Sequence, residues 1–105
     1  PTLQIIYGAG LNALFGMEHA DGFPTQLPWK LRAPNAVFNS QPSVMSRPPA
    51  FLAIGGKSCV WFVQLDGNGR FIAQAENMPV KDDAVRTIVY SQRFDRLYVP
   101  VEKLP

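Results

Sequence analysis

The chain has 105 residues, a length that fits one small domain spanning 1–105 and leaves no room for a second folded unit. Hydrophobic residues make up 47% and charged residues 17% of the composition, which is enough for a packed core and excludes the disordered class. The net charge of +2, the single cysteine and the single histidine argue against a strongly basic nucleic-acid surface, a disulfide framework and a zinc site.

The N-terminal half predicts one strand followed by irregular chain. Residues 3–7 form an apolar run that ends at a Gly-Ala-Gly segment, which favours a buried strand and a close-packed turn. Residues 17–29 carry turn-forming residues and two prolines, so a loop is predicted there. A proline in a helix interior costs about 3 kcal/mol, and six of the ten prolines lie between Pro24 and Pro49. Only a short helix over 35–41 is therefore predicted in this region.

The C-terminal half predicts a hairpin, a helix and a last strand. Residues 42–45 suit a short strand, and the apolar runs 59–65 and 70–75 flank the turn-forming residues 66–69, which predicts a β-hairpin over about 59–75. Apolar residues recur at helical spacing over 81–94, so a helix is predicted there, although 87–90 would also suit a strand. Residues 97–101 predict a terminal strand, and Pro100 places it at a sheet edge.

Together these elements predict an α/β (or α+β) fold. The expected architecture is a small mixed sheet of three to six strands with one or two helices. The apolar runs are a few residues long, against roughly 20 for a membrane span. The first twenty residues lack the pattern of a secretory signal, so a cytoplasmic location without a membrane segment is expected.

Pattern and spacing alone identify no reaction, because nucleotide-binding, metal-binding and nucleophile motifs are missing from the sequence. Arg47 lies between a short apolar run and two prolines, and Lys57 follows two glycines; at both positions a cation is either solvated or contacts an anion. His19 is interpreted as a surface residue rather than an acid–base group. The secondary amine of Pro1 can act as a general base where an apolar pocket lowers its pKa, although an ordinary terminal residue is the simpler interpretation.

Several segments resemble dihydrofolate reductases, particularly those of phage type. Residues 3–16 resemble the opening strand and glycine of that family, and residues 21–29 resemble its mobile loop with the Leu-Pro-Trp signature. Residues 42–47 are similar to its strand ending in Met-Gly-Arg, and residues 95–98 to a later strand. The resemblance implies hydride transfer from NADPH to a dihydropterin, with the first strand central in a parallel sheet.

The resemblance also implies a substrate pocket. Ile6, Tyr7 and Phe38 would line the pocket for the pterin and benzoyl groups, and Lys57 would contact the glutamate of the substrate. An apolar wall of this kind favours transfer of hydride without competing water.

By the same resemblance, Trp29 would order a catalytic water, and Gly16 and Arg47 would contact NADPH, with Arg47 facing its phosphates. The family carries an acid about five residues after the tryptophan, whereas Asn35 occupies that region here. Asparagine can bind a pterin by hydrogen bonds, but it lacks the negative charge that favours the protonated pterin.

Two alternatives stay open beside the reductase hypothesis. The first is a non-enzymatic binding or accessory domain, of the kind found in phage or mobile elements, whose partner is another protein or a second copy of the chain. The second is a tautomerase that uses Pro1 as its base, since residues 21–23, 53–56 and 95–99 resemble pieces of larger members of that superfamily. A pterin-like small molecule is the expected substrate if the chain is an enzyme, and neither a membrane nor nucleic acid is expected as a partner.

Overall fold

The computed structural model describes residues 3–20, 28–45, 49–85, 88–99 and 101–102. These ranges contain nine strands and no helix, so the predicted α/β (or α+β) class is wrong and the described chain is all-β. The strands, in chain order, are β1 (Leu3–Gly10), β2 (Ala13–Ala20), β3 (Trp29–Arg32), β4 (Ser43–Met45), β5 (Phe51–Gln64), β6 (Glu76–Val85), β7 (Val89–Ser91), β8 (Arg96–Tyr98) and β9 (Val101–Glu102). Within the same ranges, no helix is long and apolar enough to cross a membrane.

The strands form three antiparallel sheets. The first has the order β1-β2-β3, the second β4-β5-β6-β9, and the third is the β7-β8 hairpin. The first strand therefore lies at the edge of an antiparallel sheet, and not at the centre of the parallel sheet that the reductase resemblance implied.

The N-terminal hairpin confirms the strand predicted over 3–7 and extends it to Gly10. Its last pair is Gly10 with Ala13, so the connection is the two-residue loop of Leu11 and Asn12. Asn12 has a φ of 55°, which asparagine tolerates better than most residues, in a turn of type II character. The chain then returns as β2 over residues that were expected to begin a loop.

Strand β5 supplies both hydrophobic cores. Leu52 and Ile54 face the first core and Ala53 faces the second, as alternation along a strand requires. Ser58 has a φ of 56°, and the pairing of β5 with β6 shifts register between Lys57 and Cys59. This bulge reverses the alternation, because odd-numbered residues such as Val63 face the first core beyond it.

Each core joins β5 to a different part of the chain. The first core brings β5 against the first sheet, and its buried members are Leu14, Leu52, Ile54, Val63 and Leu65. The second core brings β5 against the C-terminal strands, and its buried members are Ala53, Val60, Val85 and Ile88. The two faces of one long strand therefore organise the described part of the molecule.

Both predicted helices are wrong. Within residues 35–41, Phe38 forms an antiparallel bridge with Gly56. The Asn39 N–H donates to the Gly55 carbonyl at 2.7 Å. Strand β5 therefore supplies the backbone hydrogen-bond partners that a helix would otherwise provide. The described residues of the range 81–94 form the end of β6, strand β7 and part of a turn. Val85 ends β6 and Ile88 precedes β7, and both are buried in the second core, so their spacing of three residues matches that of a helix.

The predicted hairpin at 59–75 is confirmed in its first strand and its turn. The Gly69 N–H donates to the Asp66 carbonyl at 3.1 Å, and Gly69 has a φ of 81°. Its second strand begins later than predicted, since only Phe71 bridges Leu65 before the ladder resumes at Glu76. The strand over 42–45 is confirmed as β4, whereas the terminal strand over 97–101 is divided between β8 and β9, with Pro100 outside the described residues.

Candidate functional site

A groove of about 490 Å³ lies between the β1–β2 turn and the segment after β3. One wall is formed by residues 9–12 and the other by residues 35–41. Of the other depressions in the described structure, one has the same volume and two are smaller, and none is lined by as many amide side chains. We therefore take this groove as the candidate site and call it the amide groove.

Three hydrogen bonds fix the two walls of the amide groove to the sheets. The Ala33 N–H donates to the Asn12 carbonyl at 2.8 Å. The Ala9 N–H donates to Gln41 Oε1 at 3.1 Å, and the Gly55 N–H donates to Ser40 Oγ at 2.9 Å. The groove is therefore held open by β1, β2 and β5 before any ligand arrives.

The lining of the amide groove is uncharged and combines amide side chains with apolar ones. Among the described residues, the side chains of Asn12, Asn35 and Asn39 have no hydrogen-bond partner, and each amide offers both donors and an acceptor. Asn12 and Asn35 also have a backbone reason to be asparagine, because their φ angles are 55° and 64°. The backbone at Asn39 does not favour asparagine in this way, so the Asn39 amide is the strongest indication of a ligand.

Two exposed apolar side chains form the lips of the amide groove. Leu11 is 91% exposed on one wall, and Val37 is 56% exposed on the other. A leucine side chain this exposed contributes little burial of apolar surface to folding. It contributes such burial to a complex when a ligand covers it.

A second depression of about 280 Å³ continues from the first, since Asn35 and Val37 line both. It adds Lys57, which is exposed and has no ion-pair partner among the described residues, and Cys59. Burial raises the pKa of the Cys59 thiol. The thiol therefore stays protonated near neutral pH and is a weak nucleophile.

The structure brings three of the sequence-predicted residues to this region. Asn35 lines both depressions, Phe38 lines the amide groove and Lys57 lines the second depression. Phe38 is already engaged in packing, with its ring at 5.9 Å and edge-to-face with that of Trp61. Asn35 and Lys57 carry the polar groups that remain available there.

The other described candidates lie apart, on the first sheet. Ile6, Tyr7 and Gly16 border a shallow apolar depression of about 270 Å³ that shares no residue with the amide groove. The Trp29 indole lies over Gly16, and its N–H is buried without a hydrogen-bond partner among the described residues. The residues that the reductase resemblance assigned to one pocket are thus divided between two places.

Two further candidates, Pro1 and Arg47, fall outside the described residues. Sequence patterns did not identify four of the residues that line the groove, Leu11, Asn12, Val37 and Asn39. Each lies in a turn or a short irregular segment, where amides and isolated apolar residues are common. Only the chain's return from β3 towards β5 brings the two walls together, and no local pattern predicts that return.

The described residues contain no cluster of three His, Cys, Asp or Glu side chains that could hold a metal ion. Comparison of the chain with protein-family models, with curated proteins and with solved structures found no match. The geometry of the amide groove is therefore the basis for a functional proposal.

Proposed function

We propose that this chain is a non-catalytic binding domain that takes an uncharged, extended segment of another polypeptide into the amide groove. The observation that supports this most directly is the combination of amides without partners among the described residues and exposed apolar lips. A peptide backbone alternates N–H donors and carbonyl acceptors, and an asparagine amide can bond both. The lips at Leu11 and Val37 suit the apolar side chains of such a segment.

Charge and ring geometry favour a peptide over the other ligands considered. The amide groove is lined by no cationic side chain, whereas the phosphates of NADPH are normally bound by cations or helix N-termini. Its one aromatic residue, Phe38, packs its ring against Trp61, so the lining gives a saccharide little aromatic surface on which to stack. Hydride transfer and the Pro1-dependent tautomerase activity stay untested predictions, and no observation in the described structure favours either.

Selection from a displayed library of random linear peptides tests the proposal. We expect enriched peptides to be poor in charged residues and to shift the amide resonances of residues 9–12 and 35–41 in an NMR titration. Asn39→Ala should weaken binding of an enriched peptide about tenfold, because a buried donor or acceptor on the peptide loses its partner.

The matched control is Asn68→Ala, which removes an exposed asparagine in the β5–β6 turn and should leave binding unchanged. Equal affinity for both variants would place the peptide elsewhere and contradict the proposal. NADPH, methotrexate and a panel of neutral oligosaccharides are titrated in parallel. Binding of one of these in the groove, without any enriched peptide, would also contradict it.

A further inference from the structure

The edge of the first sheet is unusually unprotected. Among the described residues, strand β1 pairs only with β2, and its eight residues, Leu3–Gly10, include no charged residue and no proline. All eight pair with β2 in one continuous register, so no bulge twists the edge away. Natural sheet edges normally carry at least one of these devices, because an exposed ladder of backbone groups pairs with other strands.

The pairing register shows which backbone groups of β1 point outward. A two-residue loop closes on a hydrogen-bonded pair, here Gly10 with Ala13, and hydrogen-bonded and non-hydrogen-bonded pairs then alternate along the ladder. Leu3, Ile5, Tyr7 and Ala9 therefore direct their N–H and carbonyl groups away from β2. The Ala9 N–H agrees with this, since it donates to Gln41 and not to β2.

Gln41 covers the outward edge only at Ala9. Within the described ranges, the outward backbone groups of Leu3, Ile5 and Tyr7 have no hydrogen-bond partner. The available edge is therefore a straight, uncharged stretch of five residues, 3–7, that ends where the Gln41 side chain begins.

We infer that a second copy of this chain pairs with this stretch, β1 against β1 in antiparallel orientation about a two-fold axis at Ile5. In this register Leu3 lies opposite Tyr7 of the partner subunit, and neither strand reaches the position that Gln41 covers. The two three-stranded sheets become one continuous sheet of six strands. The pairing is isologous and closes on itself, so it ends at a dimer.

A second copy fits this edge better than a flexible segment of another protein. Both β1 strands are already ordered by pairing with β2, whereas ordering a flexible strand costs about 1–2 kcal/mol per residue. The stretch is uncharged, so two copies face each other without repulsion between their own side chains along it. This dimer does not use the amide groove, and it is independent of the function proposed above.

Sedimentation velocity of the intact chain, from micromolar to millimolar concentration, tests the inference. We expect a monomer–dimer equilibrium with no larger species. Ile6 is 47% exposed on the face of β1 turned away from the first core. In the proposed register the two Ile6 side chains are diagonal neighbours at roughly 7–8 Å. Ile6→Lys should therefore weaken dimerisation about two- to fivefold through repulsion between like charges.

The matched control is Ile72→Lys, the same substitution at a residue 53% exposed outside β1, which should leave the equilibrium unchanged. Amide hydrogen exchange of the wild-type chain supplies a second readout that needs no variant. The amides of Ile5 and Tyr7 should gain protection as concentration rises, while that of Ala9 stays constant. A chain that remains monomeric at millimolar concentration, or a dimer in which the Ile5 and Tyr7 amides exchange freely, would overturn the inference.

Discussion

At the scale of single residues, two glycines allow the two indoles to lie flat against strands. A Cβ on Gly16 would overlap the indole carbons of Trp29, and a Cβ on Gly56 would lie 2.7 Å from the indole nitrogen of Trp61. Within the described ranges, neither indole N–H has a hydrogen-bond partner, although both are buried. A glycine opposite an aromatic residue is a recurrent way of filling space on a sheet. Both tryptophans therefore act as packing anchors of their sheets.

This contact predicts that Gly16→Ala destabilises the fold. The new methyl group would displace the Trp29 ring from β2, and overpacking of this kind costs about 1–3 kcal/mol. Urea unfolding followed by circular dichroism measures the change. Gly67→Ala is the control, because nothing lies within 4 Å of a Cβ there, and its unfolding midpoint should stay near that of the wild type. Equal midpoints for the two variants would show that the indole does not rest on Gly16.

At the scale of the elements, the bulge at Ser58 is the feature on which the two-core arrangement depends. Without the reversal of alternation in β5, Val63 and Leu65 would face away from the core that Leu52 and Ile54 form. The bulge requires a left-handed backbone at Ser58, where φ is 56°. Serine carries no sequence signal for that conformation, so the reversal could not be predicted.

Substitutions at this one position separate the backbone effect from that of the side chain. Ser58→Val should destabilise the fold by about 1–2 kcal/mol, because a β-branched residue is strained at positive φ. Ser58→Asn should change stability little, since asparagine tolerates the same backbone. Thermal unfolding of both variants measures the difference. Equal midpoints for the valine and asparagine variants would show that the positive φ at position 58 does not determine the stability of the bulge.

The elements that the sequence predicts correctly are those fixed by neighbouring residues. The strand over 3–7 follows from its apolar run, and the turn over 66–69 follows from residues that tolerate the required backbone. Both helix predictions, by contrast, were wrong. Phe38 pairs with Gly56 of β5, and Val85 and Ile88 meet in one core although they belong to different parts of the chain's strand order. Partners distant in sequence determine these features, and local periodicity does not report them.

At the scale of the whole molecule, the β5–β6 turn docks onto the first sheet. The Tyr7 hydroxyl donates to the Gly69 carbonyl at 2.6 Å, across 62 residues of sequence. Arg70 Nη2 lies 3.2 Å from Glu18 Oε1, and its guanidinium lies 4.5 Å from the ring centre of Trp29. The Arg70 and Glu18 side chains are partly exposed, so their ion pair contributes at most about 1 kcal/mol. The more buried Tyr7 bond is the contact through which this docking responds to pH.

We predict that alkaline pH weakens this docking through Tyr7. Burial, and secondarily the Asp66 carboxylate, raise the pKa of the Tyr7 hydroxyl in the folded chain. The unfolded chain therefore releases this proton first, so the stabilisation is complete below the ordinary tyrosine pKa of about 10 and is lost as pH rises through the folded value. Tyr7→Phe should cost about 1 kcal/mol at neutral pH, for the lost hydrogen bond, and should flatten the alkaline decline.

The measurement is urea unfolding between neutral pH and pH values above the tyrosine range, with every protein carrying Cys59→Ala. That background is needed because the pKa of the Cys59 thiol is also raised in the folded chain and would add its own alkaline loss. Tyr98→Phe is the control, since Tyr98 is 53% exposed, and it should keep the decline of the Cys59→Ala parent. An alkaline decline that persists undiminished in Tyr7→Phe would mean that another group, and not the bond between the two sheets, limits stability at high pH.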